Sequence, residues 1–564
     1  MMDVPEELQR LSARLDALER RVQDLEHPGA ESAASAEAQE AAATAGQQSV
    51  SSIQQTAGWF PVLGRAMLGI AGAYALRAAM ESGALPRLPV ALIALAYALT
   101  WVVWAMRAEV RSAAVGGFYA ATSMLILGPM LWELVLRFNT LSALACAAVL
   151  CCFTAAAGAL AWKHTQAHGA DVVFAGAAVI ALALAIATHA LMPFLAALLL
   201  MNLPGRLRVP RGQHDWSRAL VALVTDGAVW LLIFLYSAPP ASHPGDPLLD
   251  SSALLMPSLL LFLMDGAAVA WRAVRSGESL RAWQTLQAMM AFVLAAVSVF
   301  TFLPATGAHV FGIACLGLSV LCYAAAFRCF RAARERRNFR VFSAWSGGLL
   351  LAGMFWSAPL PWAAAGLAGA ALAGAVLGVR LQCMTLDFHG VLYLGAGALA
   401  AGLPAYVLRA FSETLPGWPS LSFAAVALSG AACYWVGKER PGEAWREQIL
   451  HLAPALVASC AAAALLVQGL LGTIERFVPL SDFHAAFTRT LALCAMALLL
   501  AYAGSRWQRL EMTRIAYAAL AFMAVKLFYE DLREGRMEFI AASIFLFAVT
   551  LIAVPRMARV GHRH

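Results

Sequence analysis

The chain has 564 residues, of which 61% are hydrophobic and 13% are charged, and its mean hydropathy is +0.71. Soluble proteins carry about 25% charged residues, so this composition excludes a water-soluble globular protein. At about 20 residues per bilayer crossing, the apolar residues suffice for about 17 helical spans. The sequence therefore predicts an all-α fold: a polytopic transmembrane helical bundle with a short N-terminal cytoplasmic coiled coil.

The net charge is +7, from 40 basic and 33 acidic residues. Most basic residues lie between apolar segments, where they are typical of topology signals, so we predict membrane lipids and no nucleic acid as partners. The ten cysteines form no CxxC motif, and nearly all lie within apolar runs. This pattern indicates neither a disulfide framework nor a zinc site. We predict no metal, no cofactor and no catalytic residue.

Residues 1–27 carry a heptad pattern, with apolar side chains at alternating spacings of three and four: Leu8, Leu11, Leu15, Leu18, Val22 and Leu25. Opposite charges at the g and e positions of this frame favour parallel pairing of two copies. We expect a coiled-coil arm that forms a homo-oligomer through residues 8–25. The alternative is one amphipathic helix that lies on the membrane or on the rest of the chain. Residues 28–58 are polar and aperiodic, which predicts a flexible linker.

About eighteen apolar segments follow, in a predicted membrane domain at 59–556 with a basic tail at 557–564. The stretch 171–203 is read as two segments because Thr188, His189 and Pro193 interrupt it, and one long helix is the alternative. Segment 362–379 has a small residue at every fourth position, at Gly366, Ala370, Gly374 and Gly378. Such a stripe predicts close packing against a neighbouring helix.

The layout and two short motifs resemble a known family. A polar arm, a linker and a first span with internal arginine (WFPVLGRAMLGIAGAYALRAAMESG, 59–83) lead into many further spans, and KLFYEDL at 526–532 precedes a final helix. This arrangement resembles the bacterial polytopic membrane proteins of domain-of-unknown-function family 2339. The resemblance implies a helical membrane fold and a location in the bacterial envelope, for which we expect the inner membrane, and it implies no established activity.

Two acids lie near the middle of consecutive predicted spans. Asp226 and Asp265 are each followed by a glycine that would let a partner helix come near. A charge at the centre of a span costs a few kcal/mol, so such residues are functional candidates. At similar depth, the pair could hold one proton or a cation as a coupling site; the alternative is two separate protonated acids.

The first span holds a third intramembrane candidate, Arg65, which has no local partner and is expected to pair across helices or to snorkel. Arg77 lies four residues before Glu81 in the same region, and the two could form an ion pair.

Mixed charges also cluster at the outer ends of the C-terminal spans. They predict an outward-facing polar pocket for a lipid headgroup or a glycan, unless they are ordinary solvated helix ends. The candidate residues are Arg409, Glu413, Glu475, Arg476, Asp482, His484, Lys526, Glu530 and Asp531.

Three functions are compatible with these features. A transporter or flippase of an envelope lipid or glycan component is favoured by the acid pair and the number of spans. A structural or regulatory envelope scaffold is favoured by the coiled-coil arm. A membrane glycosyltransferase ranks third, because every predicted outer loop is short.

The distribution of basic residues predicts the orientation. About 26 Lys and Arg follow even-numbered segments or lie in the C-terminal tail, against about six after odd-numbered segments, so both termini should be cytoplasmic. A reporter fused after Arg340 should report the cytoplasm, and one fused after Pro244 the opposite side. The reverse result would contradict this topology.

Overall fold

The computed structural model describes 14–19, 21–22, 61–82, 86–109, 112–161, 168–207, 216–237, 249–275, 277, 279–303, 305–331, 336–413, 417–437, 445–531, 533 and 536–560. Throughout these ranges every regular element is a helix, as predicted. In the arm, 14–19 and 21–22 are helical. The rest of the predicted coiled coil, the linker at 28–58 and the end of the basic tail lie outside the described residues.

The chain forms two compact units, Met1–Ala228 and Val229–His564. The helices of the first unit are α1 (61–81), α2 (Arg87–Glu109), α3 (Ala113–Leu136), α4 (Ala143–Ala161), α5 (His168–Thr188), α6 (Leu191–Leu207) and the first part of α7 (Trp216–Ser237). Within this unit α2 packs on α3, α3 on α5, and α6 on both α4 and α5. A buried hydrogen bond from Asn202 Nδ2 to Thr225 Oγ1 (2.5 Å) joins α6 to α7.

The second unit contains the remainder of α7 and the helices after it. They are α8 (Ser251–Ala270), α9 (Ala282–Phe302), α10 (Ala305–Ala325), α11 (Arg336–Ser357), α12 (Leu360–Leu381), α13 (Met384–Ala400), α14 (Leu403–Ala410), α15 (Leu421–Gly437), α16 (Trp445–Glu475), α17 (Asp482–Arg506), α18 (Leu510–Lys526) and α19 (Met537–Val560). One apolar core lies among α12, α13, α15, α16 and α17, and a smaller one lies among α17, α18 and α19.

The lengths of these helices identify a membrane-embedded protein. Each predicted apolar segment overlaps a helix, and within the described residues 13 helices are long and apolar enough to cross a membrane, or 14 if a bent pair is one span. The predicted count of about 18 spans therefore stays a prediction. Two shorter apolar helices, Leu191–Leu203 and Leu421–Gly437, account for part of the difference.

The predicted break between 171–187 and 188–203 is present. α5 ends at Thr188, and His189 adopts a left-handed backbone conformation with φ of 55°. α6 then packs on α4 and α5. A residue other than glycine with positive φ is uncommon and interrupts a right-handed helix, which explains why two helices form here instead of one.

The sequence predicts one continuous span at 388–409, and this prediction is wrong because the structure has two helices there with a break between them. α13 ends at Ala400, α14 starts at Leu403, and the two helix axes meet at 56°. Gly402 has φ of 70°, a conformation that glycine adopts without steric cost, and Pro404 in the first turn of α14 has no N–H to continue the preceding helix.

The predicted small-residue stripe on α12 is a packing surface. A Cβ on Gly374 would lie 3.0 Å from the carbonyl oxygen of Leu386 and 3.1 Å from Cα of Gly390, so α12 and α13 touch backbone to backbone. At Gly378 a Cβ would overlap with Asp387 Oδ1. The stripe thus positions the start of the broken span.

A methyl group on this stripe tests the packing. Gly378→Ala should lower the free energy of unfolding by about 1–3 kcal/mol through overpacking. Gly369→Ala on the same helix is the matched control, since nothing lies within 4 Å of its Cβ. Unfolding in detergent measures both variants, and equal stabilities would contradict the close contact.

Candidate functional site

Charged side chains are buried together in the second unit, where α17 meets the end of α18. They are Arg489 on α17, Lys526 at the end of α18, and Glu530 and Asp531 in the turn that follows. Each is only 2–8% exposed. Together with Thr490 we call them the ionic network. Its two positive and two negative charges balance.

A π-helical turn at Leu527–Asp531 creates this arrangement. In an α-helix, residues five apart point roughly 140° away from each other around the axis. A π turn is wider and brings such residues onto one face. Lys526 Nζ accordingly lies 2.5 Å from Asp531 Oδ1 and 3.4 Å from Glu530 Oε2. The π turn within the KLFYED sequence thus brings Lys526 close to Glu530 and Asp531.

α17 completes the surroundings of the lysine. Lys526 Nζ donates hydrogen bonds to the carbonyl oxygen of Ala486 (2.5 Å) and to Thr490 Oγ1 (2.7 Å). Thr490 Oγ1 in turn donates to Asp531 Oδ2 at 2.7 Å. One helix therefore supplies neutral oxygens and the other supplies carboxylates.

Arg489 joins the network to the broken span. Its Nη1 forms an ion pair with Glu530. Its Nε donates to the carbonyl oxygen of Ala410 at 3.2 Å, and its Nη2 donates to that of Glu413. Ala410 is the last residue of α14, and the last carbonyls of a helix need partners outside the helix. A cation also suits the negative end of the helix dipole. Arg489 therefore holds the end of the half-helix α14.

The opposite end of the broken span borders a cavity of about 220 Å³. Residues of α12, α13, α15 and α16 line it, including Gly390 and Cys433. Two buried polar residues, Asp387 in the first turn of α13 and His451 on α16, are part of this lining. The broken span thus borders, at its start, a cavity with two buried polar residues in its lining, and Arg489 of the ionic network holds its end.

Of the nine residues predicted to form an outward-facing pocket, the structure brings Lys526, Glu530 and Asp531 into the buried ionic network. Glu413 contributes its backbone carbonyl only, and its side chain is exposed. The side chains of the others lie outside the network. Whether a headgroup or glycan binds here stays a prediction.

The remaining predicted pocket residues have separate surroundings. The guanidinium of Arg409 is exposed and lies 5.8 Å from the ring centroid of Tyr406. His484 is half-buried, and its Nδ1 is 2.8 Å from Ser481 Oγ. Three further residues are simply exposed: Glu475, Arg476 and Asp482.

The intramembrane candidates are buried as expected for α7 and α8, where Asp226 and Asp265 are 7% and 5% exposed. Outside their own helices, no described atom lies within 4 Å of a Cβ built on Gly227 or Gly266, so no described helix packs closely against either glycine. Arg65 Nη1 donates to Tyr119 Oη on α3 at 3.1 Å, which confirms pairing across helices.

The first unit has its own ion pairs, at the end of α1. Arg77 contacts Glu81 (3.2 Å), as predicted, and Glu133 (2.8 Å), while Arg137 contacts Glu81 (2.6 Å). The hydrogen bond from Arg77 and the charge of Arg137 lower the pKa of Glu81. The ionised Glu81 carboxylate therefore stabilises the folded chain at neutral pH. This contribution is lost as the pH falls through the lowered pKa of Glu81.

Sequence reasoning missed several buried polar residues of the second unit, and Arg489 is the most important. Arg489 lies inside an apolar run, so the rule that singled out Asp226 applies to it equally. Another is His389, whose Nδ1 lies 2.7 Å from Tyr323 Oη. That contact joins α13 to α10, which are distant in sequence.

No family model, curated protein or solved structure matches this chain. The resemblance to domain-of-unknown-function family 2339 stays a prediction.

A double-mutant cycle tests the balance of the ionic network. Arg489→Ala and Glu530→Ala should each lower the free energy of unfolding by about 3–5 kcal/mol, because each leaves an uncompensated buried charge. The double variant restores charge balance and should fall short of the sum of the two single effects by about 0.5–3 kcal/mol. Unfolding in detergent measures all three variants.

Arg476→Ala is the control for this cycle, since an exposed arginine should change the free energy of unfolding by less than about 0.5 kcal/mol. Strictly additive effects at Arg489 and Glu530 would show that the two side chains are not coupled.

Proposed function

We propose that this chain is a multi-pass transporter or flippase of the bacterial inner membrane, with both termini cytoplasmic, that moves a lipid or glycan component of the cell envelope. The observation that carries the proposal is the broken span α13–α14, whose half-helix end is held by Arg489 of the ionic network.

Broken helices support this proposal on physical grounds. Transporters commonly bind substrates and coupling ions where a transmembrane helix is discontinuous, because the interruption frees backbone groups and leaves half-helices able to shift. Here the break at Gly402 separates a part that lines a cavity from a part that Arg489 holds. Release of the carbonyls of Ala410 and Glu413 would free α14 and leave α13 in place.

The two buried acids Asp226 and Asp265 are additional candidates in the same proposal. Each is a polar residue inside an apolar helix and could exchange protons during transport. Asp→Asn at either position would preserve the size of the side chain and remove the titrating group.

A second candidate function, an envelope scaffold, is favoured by the N-terminal arm. In its described helical part, the apolar seam residues Leu15, Leu18 and Val22 are 58%, 63% and 47% exposed. Exposed seam residues gain free energy if a second copy buries them, so this surface supports homo-oligomerisation through residues 8–25.

A lipid-movement assay separates the two functions. The purified chain is reconstituted into vesicles containing fluorescently labelled phosphatidylglycerol, and dithionite then quenches the dye of the outer leaflet. A flippase should expose the dye of the inner leaflet as well. The charge-balanced variant Arg489→Ala/Glu530→Ala should fold and yet lose this movement, because α14 is no longer coupled to α17 and α18.

The variant Leu15→Glu/Leu18→Glu is the matched comparison. It should lose cross-linked oligomers and keep lipid movement if the chain is a flippase. If the wild-type chain moves no lipid faster than protein-free vesicles, and its oligomers vanish in this variant, the scaffold function is supported instead.

A further inference from the structure

The cavity at the start of the broken span extends from an exposed turn into the bundle. Gln382 and Met384, at the turn between α12 and α13, are exposed members of its lining, whereas Leu394 is 1% exposed. The helical rise from Met384 to Leu394 is about 15 Å. The lining therefore has an outer end at the turn and an enclosed inner end.

The inner wall of this cavity is mostly apolar. Its volume of about 220 Å³ equals that of about seven water molecules at about 30 Å³ each, which suits a molecule with about that many non-hydrogen atoms. Mostly apolar walls with a few polar groups are typical of sites for small molecules. The apolar members of the wall include Ala375, Val379, Val391, Leu394 and Pro454.

Hydrogen-bond acceptors are prominent among the polar groups of the lining. Asp387 contributes a buried carboxylate. Gln382 donates through Nε2 to the carbonyl oxygen of Val379 at 3.1 Å, which leaves its Oε1 as an acceptor. Pro454 has no N–H, so the carbonyl of Leu450, four residues earlier in α16, lacks its usual α-helical donor. Leu450 and Pro454 both line the cavity.

Two glycines make room for the buried polar side chains. A Cβ at Gly378 would overlap with Asp387 Oδ1, and a Cβ at Gly437 would lie 3.5 Å from His451 Nδ1. The carboxylate and the imidazole thus pack directly against the backbones of α12 and α15. Side chains that are already held in place lose little freedom when a ligand binds, which favours affinity.

The charge of the lining favours a cationic ligand. Its described residues include the carboxylate of Asp387 and neither lysine nor arginine, so an anion would meet repulsion. Within the described part of the chain, no three His, Cys, Asp or Glu side chains come together as a metal site. A protonated amine has N–H donors for the acceptors and a charge for the carboxylate, and charge-assisted hydrogen bonds are roughly twice as strong as neutral ones.

We propose that the cavity among α12, α13, α15 and α16 binds a small primary amine in its ammonium form. The ammonium pairs with Asp387, and the other acceptors of the lining, with the carbonyl of Leu450 among them, are available to its remaining N–H groups. A short hydrocarbon part lies against Val391 and Leu394. This site goes beyond the proposed function and does not rest on it, because binding is measured without transport.

Thermal unfolding of the full chain in detergent tests the site with butylammonium chloride as the probe. Butanol is the neutral control with the same hydrocarbon chain, and NaCl at equal ionic strength is the salt control. Butylammonium should give a saturable rise in melting temperature, because it binds the folded chain, and neither control should do so. A rise no larger than that in butanol or in NaCl would overturn the proposal.

Two pairs of variants locate the bound amine. Asp387→Asn removes the charge and should weaken butylammonium binding by at least about tenfold, whereas Asp482→Asn, at an exposed acid, should leave it unchanged. Val391→Phe fills part of the cavity and should abolish binding, whereas Leu392→Phe, at the exposed neighbouring position, should preserve it.

The two variant pairs decide independently if one variant does not fold. Wild-type affinity in Asp387→Asn, or equal affinities in Val391→Phe and Leu392→Phe, would overturn the proposal. Binding of butylammonium by a chain that moves no lipid would refute the proposed function and leave the amine site intact, so the two failures are distinguishable.

Discussion

A charge inside a bilayer is costly unless the protein supplies its counter-charge, and the C-terminal part of this chain is organised by that requirement. At the centre of an isolated span an arginine or lysine costs about 2.5–3.5 kcal/mol, and the cost falls toward the ends of the span. Glu530 and Asp531 compensate the two cations of the ionic network within one buried cluster. Because Arg489 lies on α17 and the other three charges lie at the end of α18 and in the turn after it, separating the two helices would leave unpaired charges on both.

The same requirement explains the π turn. Two acids that are adjacent in sequence can both face one lysine only if the helix widens, and the turn at Leu527–Asp531 does this. The lysine that the acids face also donates hydrogen bonds to Ala486 and Thr490 of α17. Such turns occur frequently at functional sites for this reason: they aim side chains that a regular helix would separate.

The sequence predicts the helices far better than the site they build. Hydropathy is local, so the helical class, the turn at His189 and the small-residue stripe around Gly374 all follow from patterns within about 20 residues. The acids of KLFYED could be recognised as site candidates because charged residues cluster in that part of the sequence. Their partner Arg489 lies 41 residues upstream of Glu530, and pairing at that distance depends on which helices pack together, which no local pattern encodes. The break at Gly402 was missed because glycine is common in apolar segments and its backbone angles cannot be read from its identity.

The broken span and the ionic network constrain each other. α14 has only eight residues, too few to be stable alone, so its position depends on packing and on the partners of its final carbonyls. Arg489 supplies those partners while it neutralises Glu530. A displacement of α14 would therefore leave the guanidinium with fewer acceptors. One guanidinium therefore has both a helix end and a carboxylate as partners, so the position of α14 and the charge balance of the ionic network depend on the same side chain.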